Sequence, residues 1–312
     1  MKRPPQASEQ LLKRLEWSVL RRLDGVLLGD YRSLFRGTGL DLADIREYQP
    51  HDDVRHIDWN VTARQQTPYV RQYHEDREVS VWFLLDLSPS MDFGSEHRTK
   101  RQVLLEFFAL VGKVFARQGN RVGAIIFSAG IEHVVQPGTG TRHLLHIIEK
   151  VSRHPEPEQA PPTDLAHLLQ RAMPICKRRC VMFIVSDFVS APGWSKPLAM
   201  LSERHEVTAV RLLDPLETFL PDLGVLTMQD AETGEQLLVD TQDEGFRQRF
   251  EAICQEQEEE LIDRLTRAGV DILELATDDD LFESMMRFSQ MRRAMATPGS
   301  AVPGAATAQE AA

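Results

Sequence analysis

The chain has 312 residues, 42% of them hydrophobic and 27% charged, with a formal net charge of −11. This length and balance suit a full α/β domain plus an accessory segment, not a disordered chain. The acid excess argues against a nucleic-acid binder that works by neutralising phosphates.

The three cysteines, Cys176, Cys180 and Cys254, are too few for a disulfide framework. Cys176 and Cys180 alone do not make a metal site without further Cys or His partners, and the expectation is buried or idle thiols in a reducing cytosol. No apolar run approaches the roughly 20 residues of a bilayer span. The basic N-terminus is not followed by a compact apolar segment of the secretory kind. A cytoplasmic location is expected, with no membrane span.

Residues 8–28 carry Leu11, Leu12, Leu15, Val19 and Leu23 at helical spacing, with Lys13, Arg14, Arg21 and Arg22 between them. This predicts a basic amphipathic helix docked on its own domain. The glycines of Arg36-Gly37-Thr38-Gly39 read as a turn, because no Lys-Ser/Thr follows to make a phosphate loop. A dense polar stretch comes next: Arg46, Tyr48, His51, Asp52, Asp53, Arg55, Asp58, Trp59 and Arg64. Two readings stand side by side here. One is a solvated face; the other is a structural collar of Arg–carboxylate forks, with Arg46, Arg55 and Asp58 paired and Trp59 largely buried.

A strand is predicted over residues 69–73, and a buried one over 79–85 that ends in Asp86-Leu87-Ser88-Pro89-Ser90. Val103, Leu104, Phe107, Phe108, Val111, Val114 and Phe115 mark a helix over 99–117. Strands follow at 122–127 and 131–135, then a helix opened by Gly138-Thr139-Gly140. A proline-rich loop over 155–162 leads to a helix that starts at or beside Thr163. Further strands are expected at 180–185 and 207–212, a strand pair within 215–240, a long charged helix over 244–268, a last strand at 270–275 and a closing helix over 281–292. After residue 296 the Ala, Pro, Gly and Thr composition predicts a disordered tail. Alternation of this kind predicts a doubly wound, mostly parallel α/β sheet flanked by helices. It divides the chain into an N-terminal accessory segment (1–77), the α/β domain (78–295) and the tail (296–312).

By itself, Asp86-x-Ser88-x-Ser90 describes an ordinary turn as well as it describes a ligand site. Thr163 and Asp187 change the balance, because both fall at element ends expected on the same sheet edge. Five hard oxygen donors from three separate loops suit Mg²⁺ or Mn²⁺. Neutral hydroxyls as direct ligands, with carboxylates behind them, would leave such a cation seeking a carboxylate from outside.

This arrangement resembles the von Willebrand factor A domain, whose metal-ion-dependent adhesion site uses D-x-S-x-S, a Thr and an Asp in that order. Gly37-x-Gly39, Arg46-Glu47-Tyr48-Gln49-Pro50, Asp52 through Trp59, and Ala63-Arg64 resemble the signature of the bacterial domain-of-unknown-function family 58. In that family the signature runs into such an A domain. The chain departs from it at His51, where glycine is common. The resemblance implies a Rossmann-like A domain with metal ligands Asp86, Ser88, Ser90, Thr163 and Asp187. It also implies a structural or partner-binding role for Arg46, Tyr48, Asp53, Arg55, Asp58, Trp59 and Arg64. As a partner it implies a MoxR-type AAA+ ATPase, its client protein, or both, in chaperone-like maturation or assembly.

The leading expectation is therefore a non-enzymatic, metal-dependent protein-binding adaptor. The alternative is a metal-dependent phosphoesterase using the Asp86 strand end, although Ser88 stands where such enzymes want a second carboxylate. A dinucleotide-binding oxidoreductase is disfavoured because no G-x-G-x-x-G follows the first strand.

Overall fold

The computed structural model describes residues 44–49, 59–65, 67–72, 80–94, 98–155, 163–229 and 234–296. The expected helix over 8–28, the Gly37–Gly39 turn and the tail after 296 lie outside them. So do Asp53, Arg55 and Asp58 of the signature.

The first described elements are strand β1 (Asp44–Glu47), helix α1 (Trp59–Gln65) and strand β2 (Tyr69–Gln72). β1 and β2 form a two-stranded antiparallel sheet in which Arg46 stands opposite Val70. Regular structure thus occupies a stretch whose mixed charges showed no strand period. Tyr48 is half-buried and Arg64 exposed. Trp59 is 70% exposed, which corrects the expectation that it is largely buried. It opens a helix of only seven residues, and a density of Arg, Asp and aromatic side chains says nothing about which of them a short helix turns inward.

The main sheet is built on β3 (Ser80–Asp86), β4 (Arg121–Phe127), β5 (Ile131–Gly138), β6 (Val181–Ser186), β7 (Glu206–Leu213) and β10 (Asp271–Ala276). Their order is β10-β7-β6-β3-β4-β5. Every neighbouring pair is parallel except β4 with β5, so the fold is a doubly wound, mostly parallel α/β sheet. A small hairpin of β8 (Val225–Gln229) and β9 (Gln236–Asp240) stands apart from it.

Helices cover both faces. On one side lie α2 (Lys100–Arg117), α3 (Thr141–Ser152) and α8 (Leu281–Ala296); on the other lie α4 (Leu165–Ile175), α5 (Ser195–Ser202) and α7 (Glu244–Arg267). A short α6 (Pro215–Thr218) follows β7. Strand alternation divides the core: Val81, Phe83 and Leu85 enter the first layer, Trp82 and Leu84 the second. Phe83 stacks on Phe183 at 5.0 Å and meets Phe108 edge-on at 4.9 Å, a mutual packing that adds to the area these rings bury. β3 is central, and its register pairs Leu85 with Val185 and Asp86 with Phe127. This brings the ends of β3 and β6 to one sheet edge.

Helices α5 and α6 were not expected from the sequence. Both are short, and α5 holds Pro197 in its first turns, so neither supplies enough turns for a helical period to show.

Candidate metal site at the sheet edge

Asp86 ends β3 fully buried. Its Oδ1 accepts the Ser88 N–H at 2.9 Å, closing a turn, and its Oδ2 accepts the Ser186 hydroxyl at 2.7 Å from the end of β6. The chain then makes a 3-10 turn over Pro89–Asp92, with Pro89 and Met91 buried. That turn carries Ser90 back beside Ser88, and their hydroxyl oxygens lie 3.1 Å apart. An Asp that closes a turn, followed by a proline that fixes the next, is how D-x-S-P-S folds the two hydroxyls onto one point.

Asp187 immediately follows β6 and is buried. Its Oδ1 accepts the Val189 N–H at 3.1 Å. Phe188, between them, has φ 61°, a left-handed conformation that costs a non-glycine residue about 1–2 kcal/mol. The surroundings hold it there: its N–H donates to Ser186 Oγ at 3.0 Å, and its buried ring packs 5.9 Å from Trp194. Strain that the surroundings over-determine is a feature of sites that must present a particular group.

Thr163 is buried ahead of α4. Asp164, one residue on, is the N-cap, accepting the His167 N–H at 2.9 Å. The Thr163 carbonyl accepts the Ser190 hydroxyl at 2.6 Å, and Ser190 Oγ accepts the Leu165 N–H at 3.0 Å. Ser190 thereby ties the Thr163 loop to the Asp187 loop. The five predicted donors sit on three loops linked by Ser186 and Ser190.

Burial and then the neighbouring Asp187 charge push the Asp86 carboxyl up to about 7, against the Ser186 and Ser88 hydrogen bonds that lower it. Two carboxylates crowded in a dry place call for positive charge. Hydroxyls beside them are hard donors of the kind Mg²⁺ and Mn²⁺ accept, so the residues fit such an ion. Among the described residues no group of three or more His, Cys, Asp or Glu stands together as a metal cage. The set expected from the sequence is of a different kind, two carboxylates with three hydroxyls.

One cation is already present. Lys100, in the first turn of α2, is 0% exposed, and its Nζ lies 2.9 Å from Asp187 Oδ2 and 2.6 Å from Glu217 Oε1. Burial works against its charge, but Asp187 and Glu217 outweigh burial and raise its pKa above the usual lysine value. Next to these residues a cavity of about 400 Å³ is lined by Asp187, Phe188, Ser190, Arg211, Glu217 and Cys254 among others.

The family described as "Protein of unknown function DUF58" matches residues 44–260. The chain belongs to the DUF58 family. Its doubly wound sheet carries D-x-S-x-S at the end of the central strand, the arrangement that the resemblance to the von Willebrand factor A domain implied. The DUF58 chain is 35% identical over 290 residues to "Uncharacterized protein Rv1480" of Mycobacterium tuberculosis, covering 92% of this chain and 90% of that one. It is 34% identical over 138 residues to "Uncharacterized protein MAV169" of Mycobacterium avium, covering 44% of this chain and 80% of that one. Solved structures similar to it include an aerotolerance-related membrane protein from Bacteroides fragilis, at 14% identity and TM-score 0.44 over 69% of this chain and 98% of that one. BatB from Bacteroides thetaiotaomicron is similar at 15% identity and TM-score 0.42, over 70% and 98% of the two chains. The SpRpn10 VWA domain follows at 12% identity and TM-score 0.36, over 67% and 93%. Likenesses this distant carry no functional argument.

Among the described residues of this DUF58 chain, no helix is long and apolar enough to cross a membrane. Four residues of the site were not singled out from the sequence: Lys100, Ser186, Ser190 and Glu217. Only Glu217 left a legible signal. It stands three residues after Asp214 in a capping box, where its Oε2 accepts the Asp214 N–H at 3.0 Å. A lysine at the start of a helix reads as solvated, and nothing in sequence marks one that is buried.

Proposed function

We propose that this DUF58 protein is a non-enzymatic, metal-dependent protein-binding adaptor that works in the cytoplasm with a MoxR-type AAA+ ATPase, its client, or both. The observation that carries the reading is the juxtaposition of the Ser88 and Ser90 hydroxyls, 3.1 Å apart, with two buried carboxylates, of which Asp86 is raised to about 7 by its burial first and the Asp187 charge second. Ser88, Ser90 and Thr163 would hold Mg²⁺ or Mn²⁺ by their hydroxyls, with Asp86 and Asp187 behind them. When bound, the cation offers a coordination position that an Asp or Glu of a partner protein can fill.

The chain's own residues prepare that encounter. The Asp86 turn and Pro89 fix the two serines, and Ser190 anchors Thr163 against the Asp187 loop. Both Asp86 oxygens are engaged, by the Ser88 N–H and the Ser186 hydroxyl. That occupation, with Ser88 where a second carboxylate is needed, favours the adaptor over a phosphoesterase with an Asp86 nucleophile. Nucleotide hydrolysis belongs to the partner, because this chain has no G-x-x-x-x-G-K-[ST] loop.

The test is co-purification with the ATPase in Mg²⁺, in EDTA, and with the double substitution Ser88→Ala, Ser90→Ala. Binding is expected in Mg²⁺ alone. Binding that survives both the chelator and the substitutions would rule out the metal-bridged contact.

A further inference from the structure

We infer that Lys100 is the resident counter-cation of this site, and that its competition with a divalent ion for Asp187 sets how tightly the ion is held. The inference rests on the metal-binding reading above and adds a determinant of affinity to it. Lys100 cannot drift away from the carboxylate. Its N–H donates to the Phe93 carbonyl at 2.9 Å. Thr99 caps the helix beneath it through a box with Gln102. The ammonium is enclosed, and an enclosed charge without partners would be strongly unfavourable. Its two partners satisfy it: Asp187 Oδ2 at 2.9 Å and Glu217 Oε1 at 2.6 Å.

These partners stand in different surroundings. Asp187 is buried and belongs to the donor set, whereas the Glu217 side chain is 36% exposed on the wall of the cavity. Asp187 therefore answers to two cations, the fixed ammonium and any divalent ion beside Asp86, Ser88 and Ser90. Positive charges sharing one carboxylate in a low-dielectric setting oppose each other. Glu217 offsets this opposition by drawing the ammonium towards the cavity. Removing the ammonium should strengthen metal binding; removing Glu217 should weaken it by leaving Asp187 as the sole counter-charge of Lys100. A purely structural role for the Lys100 bridge gives no such opposite signs.

The experiment is Mn²⁺ titration calorimetry on the full chain in four forms: wild type, Lys100→Met, Glu217→Gln, and Asp86→Ala as the marker of the site. Methionine keeps the unbranched length without the charge. Mn²⁺ affinity is expected to rise about tenfold or more in Lys100→Met and to fall several-fold in Glu217→Gln, with Asp86→Ala abolishing binding. Unchanged or weaker binding in Lys100→Met, with normal Asp86-dependent binding in wild type, overturns the Lys100 inference and leaves the metal reading standing. If Lys100→Met does not fold, Glu217→Gln decides, and unchanged or tighter binding there overturns the inference. Absence of Asp86-dependent Mn²⁺ binding in wild type and both variants overturns the metal reading and the inference with it.

Discussion

The Ser186 hydroxyl donates to Asp86 Oδ2 at 2.7 Å, joining the ends of two neighbouring parallel strands whose residues lie 100 positions apart in sequence. Parallel register is what makes this possible. With Leu85 opposite Val185, the next residue of each strand falls at the same sheet edge. The bond lowers the Asp86 carboxyl, but burial and the Asp187 charge outweigh it and leave the group at about 7.

That position has a consequence for stability. Unfolded, the Asp86 carboxyl returns to 3.8, while folded it stays protonated to about 7. Between these values the native state binds more protons than the unfolded one, so raising the pH works against the fold. In metal-free protein with chelator, urea unfolding should show wild type losing about 2–3 kcal/mol between pH 5 and pH 8 relative to Asp86→Asn, which cannot ionise there. Parallel pH profiles for the two proteins would contradict the burial of Asp86 beside the Asp187 charge.

The sheet was legible in sequence because β3, β4, β6 and β7 are mostly apolar runs of six to eight residues bounded by turns, and β3 and β6 are buried along nearly their whole length. Asp86 and Asp187 were legible for a related reason, since a carboxylate ending an apolar run stands out. What polar groups do with one another was not legible. Cys180 is buried, as expected, and its Sγ lies 3.2 Å from His205 Nδ1, a partner the sequence did not indicate. A hydrogen bond from Cys176 and the His205 contact outweigh burial and lower the Cys180 thiol to about 6. Pairings such as Cys180 with His205 or Lys100 with Glu217 depend on where the loops after separate elements return. No local period encodes that, and the same gap explains the misplacement of Trp59.

Phe188 supplies a test with an unusual sign. Truncating its buried ring against Trp194 should cost about 3 kcal/mol. At φ 61°, alanine keeps the left-handed strain and glycine relieves it. Phe188→Gly should therefore be about 1 kcal/mol more stable than Phe188→Ala, the reverse of the ordering inside helices or strands. Chemical denaturation of the two variants measures the difference.

The exposure of Trp59 can be read by fluorescence. Trp82 and Trp194 are buried in the core and should resist an aqueous quencher such as iodide. In a Trp17→Phe background, the quenchable emission of the native protein should be lost on Trp59→Phe. A native protein without a quenchable component would mean that the Trp59 face is covered in solution.

The long acidic helix α7 sets the last prediction. Among its described residues only Leu265 is fully buried, so apolar contact alone gives it a weak hold on the sheet. Arg211, on β7, is nearly enclosed and reaches Glu258 of α7 at 3.1 Å and Glu274 of β10 at 2.7 Å with the same nitrogen. The pairs within α7 are different. Arg267 with Asp263 at 2.8 Å is largely exposed on both sides, the situation in which an ion pair contributes between nothing and about 1 kcal/mol. Arg211 shields its charge from water, fills space with its stem and ties three elements together. Removing it leaves two half-exposed carboxylates unpaired beside each other. Arg211→Ala is expected to lower stability by about 1–2 kcal/mol, through the lost packing of its enclosed stem and the bridge between three elements. Arg267→Ala should stay within about 0.5 kcal/mol of wild type. Equal effects in urea denaturation would show that α7 is held by its apolar contacts alone, and the Arg211 bridge would then be incidental to the fold.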